Sequence, residues 1–198
     1  FKSEHQYIKP EKWLSNSDLV FPLAVNEHTG EVLNGARLAK HKGLNFRIHN
    51  PDSECNYYNE ILGSLHKFFN EGLHNANDFS FSNLVRSIEA LGHQFGIETE
   101  KAVLRGLEIG VNIALPFPVK RLLNSVICHN GKPFQQMDKK GEIQGLVCLH
   151  YEYQIKMYDK SKQAVDGSKN LLRFEIKVNK MRYLEPYGLK YLADLAVY

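Results

Sequence analysis

No stretch of this 198-residue sequence stays apolar for the roughly 18 residues that crossing a bilayer takes. The first residues, Phe1-Lys2-Ser3-Glu4-His5, lack the apolar run of a secretory signal, so a cytoplasmic protein with no membrane partner is the expectation. Cysteine is scarce. Cys55, Cys128 and Cys148 are odd in number, far apart and outside any C-x-x-C spacing, which excludes a disulfide framework and a zinc motif and leaves three small apolar side chains. None of the nine histidines stands in an H-x-H pair or four residues from another on an expected helix, so a histidine-built metal centre is not indicated. Walker loops, G-x-G-x-x-G and G-x-S-x-G are also missing, which removes the common nucleotide-binding and serine-hydrolase readings.

Net charge is small at +3, but it is unevenly spread. Residues 1–117 hold 11 basic against 14 acidic side chains and residues 118–198 hold 14 against 8, so the second part would attract an anionic partner. With 43% apolar and 24% charged residues the composition is that of a globular domain. The start without methionine, and an end inside what reads as a helical pattern without Gly, Asn or Pro, lead us to expect a fragment of a longer protein. Residues 1–198 read as one domain, with no repeat or linker.

Strands are expected at 19–25, 32–38 and 43–48, and residues 57–69 read as another strand ending in Gly63-Ser64-Leu65-His66-Lys67-Phe68-Phe69. Ser80 or Ser82 can cap a helix whose apolar positions Leu84, Val85, Ile88, Leu91 and Phe95 keep the helical period to Gly96. Residues 103–115 alternate, then a second helix covers 119–127. A polar turn, two more strands and a helix from about Gly188 follow. That order predicts an α+β fold, an antiparallel-rich sheet with helices on one face and the other face open.

Chemistry gathers on that second face. In the late strands Leu172, Phe174, Ile176 and Val178 oppose Arg173, Glu175 and Lys177, while Ile155 and Met157 oppose Lys156, Tyr158 and Lys160. The 103–115 strand adds Glu108 and Asn112. Glu108, Glu175 and Asn112 offer oxygen donors suited to Mg²⁺ or Mn²⁺, and the neighbouring lysines and arginine suit a phosphodiester. The alternative is a solvated sheet face with cross-strand ion pairs. His66 and Lys67, with Ser64, could meet a phosphate from a strand-end loop.

Lys156-Met157-Tyr158-Asp159-Lys160 followed by Leu172-Arg173-Phe174-Glu175-Ile176-Lys177 resembles the paired strands of rolling-circle replication initiators, the plasmid Rep and filamentous-phage replication protein group. Gly63-Ser64-Leu65-His66-Lys67-Phe68 and Leu107-Glu108-Ile109-Gly110-Val111-Asn112-Ile113 are similar in order and spacing. The resemblance implies a ferredoxin-like sheet and a metal-dependent endonuclease and strand transferase that nicks origin DNA through a tyrosine. Implied partners are origin DNA, a host helicase and polymerase, and a second copy of the chain. Glu108, Glu175 and Asn112 would hold Mg²⁺ or Mn²⁺. Lys160 would contact phosphate at the reacting centre, and Lys67, Lys156, Tyr158, Arg173 and Lys177 would hold DNA. Tyr191 and Tyr198, seven apart on an expected helix, are the candidate nucleophiles. The chain departs from the wider superfamily in having no pair of metal-binding histidines. A non-catalytic single-stranded DNA-binding module on the same face is the alternative.

Overall fold

Ser80 opens the longest helix because its hydroxyl accepts the N–H of Asn83, and Gly96 closes it in the left-handed region at φ 65°, where a side chain is disfavoured. In the computed structural model, which describes residues 1–5, 8–23, 25–32, 35–49, 58–75, 77–139, 142–161 and 169–197, the chain divides into two compact units, Phe1–Arg105 with Tyr187–Tyr198, and Gly106–Pro186. Helices are α1 (Pro10–Leu14), α2 (Leu65–Phe69), α3 (Phe81–Phe95) and α4 (Val119–Leu123). Strands are β1 (Lys2–His5), β2 (Arg37–His41), β3 (Leu44–His49), β4 (Tyr58–Gly63), β5 (Val103–Ala114), β6 (Cys128–His129), β7 (Lys132–Pro133), β8 (Gln135–Lys139), β9 (Glu142–Leu149), β10 (Tyr153–Asp159) and β11 (Leu171–Val178). Among the described residues no helix is long and apolar enough to cross a membrane.

In the first unit the strands run antiparallel in the order β2-β3-β4-β1. Leu44, Phe46 and Ile48 alternate onto one face, and the helices cover that face. Phe95 of α3 meets Phe46 at 4.5 Å between centroids, and Trp13 of α1 meets it edge-on at 5.2 Å. Each such buried side chain stabilises the unit by about 1.5–3 kcal/mol. On the opposite face Glu60 is buried between Lys2 at 2.7 Å and Arg47 at 3.6 Å.

In the second unit the order is β5-β11-β10-β9-β8, again antiparallel. Val119 of α4 packs on Met157 and Leu172, with Leu115, Leu122, Leu123 and Phe174 around them. Beyond the reach of α4 the same face stays exposed, with Ile109 at 58%. The α+β class, with antiparallel sheets carrying helices on one face, is as expected.

Several elements differ from the sequence reading. Residues 19–23 and 25 form no strand; Val25 makes only an isolated bridge to Val32, and the next strand starts at Arg37. The strand expected over 57–69 stops at Gly63, because Ser64 caps α2 by accepting the N–H of Lys67. The helix expected over 119–127 ends at Leu123. The polar turn after it contains a hairpin of β6 and β7 and then β8 and β9. Asn130 at φ 47° and Gly131 at φ 72° make its two-residue turn, the conformation in which Asn-Gly excels. No α-helix begins at Gly188. The N–H groups of Leu192 and Ala193 go to the carbonyls of Ala102 and Thr99, and Tyr191 bridges to Val103, so only a 3₁₀ turn at Ala193–Ala196 follows.

Candidate functional site

Register brings the polar positions of three strands together. Lys156 lies opposite Glu175, Tyr158 opposite Arg173, Arg173 opposite Asn112, and Lys177 opposite Glu108, so one face of the β5-β11-β10 ribbon carries all seven. Two glycines let these long side chains lie flat. A Cβ on Gly110 would sit 2.6 Å from the Arg173 guanidinium and 2.7 Å from Cγ of Glu175, and one on Gly145, opposite Tyr158, would sit 2.6 Å from the Tyr158 Cβ. Both gaps are tighter than van der Waals contact, so a side chain at either position would have to displace what it meets.

Glu175 is the hub. Its Oε1 accepts from Arg173 Nε at 3.0 Å and from the Tyr158 hydroxyl at 3.0 Å, while its Oε2 lies 3.9 Å from Lys156 Nζ. Lys156 also donates to Glu108 at 3.2 Å, and Arg173 Nη1 donates to Asn112 Oδ1 at 3.1 Å. With Glu175 7% exposed this is a half-buried network rather than a solvated row of ion pairs. Burial, the Glu175 carboxylate and the bond to it push the Tyr158 phenol up to about 12. Lys160 follows the end of β10, is 3% exposed, and its ammonium is pulled below the usual lysine range first by burial and then by Arg173. Lys177 is exposed beside Glu108.

The oxygen donors expected to hold a metal are engaged by the chain's own cations. Lys156 stands between the two carboxylates, Arg173 takes the Asn112 oxygen, and two negative charges are matched by two positive ones. A divalent cation does not fit this arrangement while Lys156 holds both carboxylates. Among the described residues no group of three or more His, Cys, Asp or Glu is set to hold a metal ion.

The remaining expected site residues lie elsewhere. Lys67 and His66 are on α2 in the first unit, not in a strand-end loop; Ser64 is spent on the helix cap, and His66 stacks on Phe79 and lies 2.7 Å from Asn77 Oδ1. Tyr191, also in the first unit, is held in its bridge to Val103 with its N–H donated to Asp194, so it is not on a helical face. Tyr198 lies outside the described residues.

Two groupings escaped the sequence reading. His129 Nδ1 and His150 Nε2 approach to 3.1 Å, with Cys148 Sγ 3.4 Å from the latter, which fastens the β6-β7 hairpin to β9. Tyr151, at the β9-β10 turn, has Lys180 Nζ 3.1 Å from its ring centroid and Arg182 at 5.6 Å. Lys180 and then Arg182 hold its phenol below the usual tyrosine range. The Asn130-Gly131 pair was the available signal for the first, whereas nothing local announces the second.

No family model and no curated protein matches this sequence. A solved structure of the rolling circle replication initiator protein from Geobacillus stearothermophilus is similar over 98% of this chain and 77% of its own, at 13% identity and a TM-score of 0.43. A likeness that slight carries no weight for function.

Proposed function

We propose that this chain is a DNA-nicking and rejoining protein of the rolling-circle replication-initiator kind. The observation that carries the reading is the half-buried Glu175 network on one face of a unit with 13 basic against 8 acidic residues. The order of the four sequence motifs supports it independently. In this reading Lys156, Lys177 and Arg173 attract the phosphates of a single strand. Glu175 orients Arg173 and keeps Tyr158 protonated, so Tyr158 positions the strand and does not attack. A tyrosine hydroxyl, from Tyr191 or Tyr198, forms a bond to phosphorus as the bond to the 3′ oxygen breaks. Its proton passes to that oxygen, giving a 5′-phosphotyrosyl strand and a free 3′-OH. The Mg²⁺ or Mn²⁺ expected from sequence requires Lys156 to leave Glu108 and Glu175, and no step is assigned to it.

The test is to incubate the protein with single-stranded plasmid or phage plus-strand DNA labelled at its 3′ end, with EDTA, Mg²⁺ or Mn²⁺, and look for labelled protein after denaturation. An adduct that Glu175→Ala lowers at least about a hundredfold supports the reading. Tyr191→Phe and Tyr198→Phe identify the attacking residue. Failure to form any adduct under every metal condition, with DNA binding intact, would replace it by the second reading, a non-catalytic single-strand binder. The bridging position of Lys156 favours that second reading, since a network already neutral needs no metal to persist.

A further inference from the structure

The β9-β10 turn carries an aromatic surface apart from the Glu175 network. Tyr151 is 73% exposed, although tyrosine ordinarily buries most of its ring, and it stands at a tip braced from two sides. His150 donates its N–H to Tyr153, and the N–H groups of Asn179 and Lys180 both go to the Glu152 carbonyl, at 2.7 and 3.1 Å. That brace carries the chain leaving β11 across the tip and brings Lys180 and Arg182 to the Tyr151 ring. The His150 ring stacks on Tyr153 at 4.6 Å between centroids, and the Tyr183 ring meets Tyr153 at a tilt, at 4.9 Å. Arg182 is also held by Glu152 at 2.7 Å, which fixes its direction and leaves Lys180 as the principal charge.

An exposed ring with a cation over one face suits an unpaired nucleobase and its phosphates: the base stacks on the face that Lys180 leaves uncovered while the backbone meets the ammonium and guanidinium. A folded protein partner would need apolar area around the ring, whereas Lys180, Arg182 and Glu152 surround this one. We propose that Tyr151, with Lys180 and Arg182, is a stacking platform for one unpaired base of a single-stranded DNA, a contact separate from the Glu175 network. The proposal rests on the nucleic-acid reading above and names a partner contact within it.

Binding of fluorescein-labelled oligothymidylate of about 16 nucleotides to the full chain, followed by anisotropy, tests it. Tyr151→Ala should weaken binding about tenfold and Tyr151→Phe should not, because the stacking face survives. An abasic oligomer of equal length should lose the same factor on the unaltered chain and nothing more on Tyr151→Ala. An oligomer carrying 5-iododeoxyuridine should cross-link to Tyr151 on irradiation. Equal thymidylate affinity of Tyr151→Ala and the unaltered chain, or cross-links confined to other residues, would overturn the platform while leaving the nicking reading standing. No binding of any oligomer at low salt would remove both, and an adduct formed normally by Tyr151→Ala with unchanged affinity would remove the platform alone.

Discussion

Glu175 accepts hydrogen bonds from Arg173 and Tyr158 and pairs with Lys156 at longer range, and the protonation state of Tyr158 follows from that. The Tyr158 hydroxyl donates to a carboxylate in half-buried surroundings, so its ionisation would place two anions side by side. Its folded value of about 12 lies above the unfolded value near 10, so the bond's contribution is complete below pH 10 and is lost as pH climbs through about 12. Urea midpoints measured across that window should fall, and Tyr158→Phe should flatten the fall. A spectrophotometric titration should likewise lose its highest-ionising phenol in that variant. The alternation of β10 and β11 was enough to read Lys156, Tyr158, Arg173, Glu175 and Lys177 onto one face. Their partners were not readable, because whether Lys156 meets Glu108 depends on register across two strand boundaries, which no local pattern encodes.

At the scale of elements, β5 illustrates how a strand serves the site by what it omits. Gly110 weakens the strand intrinsically yet sits opposite Glu175, where its missing side chain is the floor under Arg173 and Glu175. Gly110→Ala should cost about 1–3 kcal/mol in urea unfolding, since the guanidinium must lift and its bonds to Glu175 and Asn112 open. Strand-binding affinity should fall alongside. Helix α3 and strands β5, β10 and β11 were legible because each shows a clean period and, for α3, a cap at both ends. Helix α2 was not: five residues are too few to display a period, and its apolar Leu65 and Phe68 fit a strand equally well. The segment after Gly188 has helical composition but makes its hydrogen bonds to residues 99–104, a tertiary competition invisible along the chain.

For the molecule as a whole, charge follows the division of the chain. Gly106–Pro186 holds 13 basic against 8 acidic residues, whereas Phe1–Arg105 with Tyr187–Tyr198 holds 12 against 14. If the first of these meets a single strand, log affinity should fall with log salt by about 0.7 per phosphate engaged. Lys177→Ala should lower that slope by about 0.7, and Lys101→Ala, in the other unit, should leave it unchanged; anisotropy across a salt series reads both. The same division gives the sole tryptophan a particular use. Trp13 is wholly buried, donates to the Phe95 carbonyl at 3.1 Å and rests edge-on to Phe46, so its emission colour is a local gauge of one unit. Heating followed by tryptophan emission tracks that half alone, while far-ultraviolet dichroism sees both. Any gap between the two melting curves therefore isolates the half that carries Glu175, with no label attached.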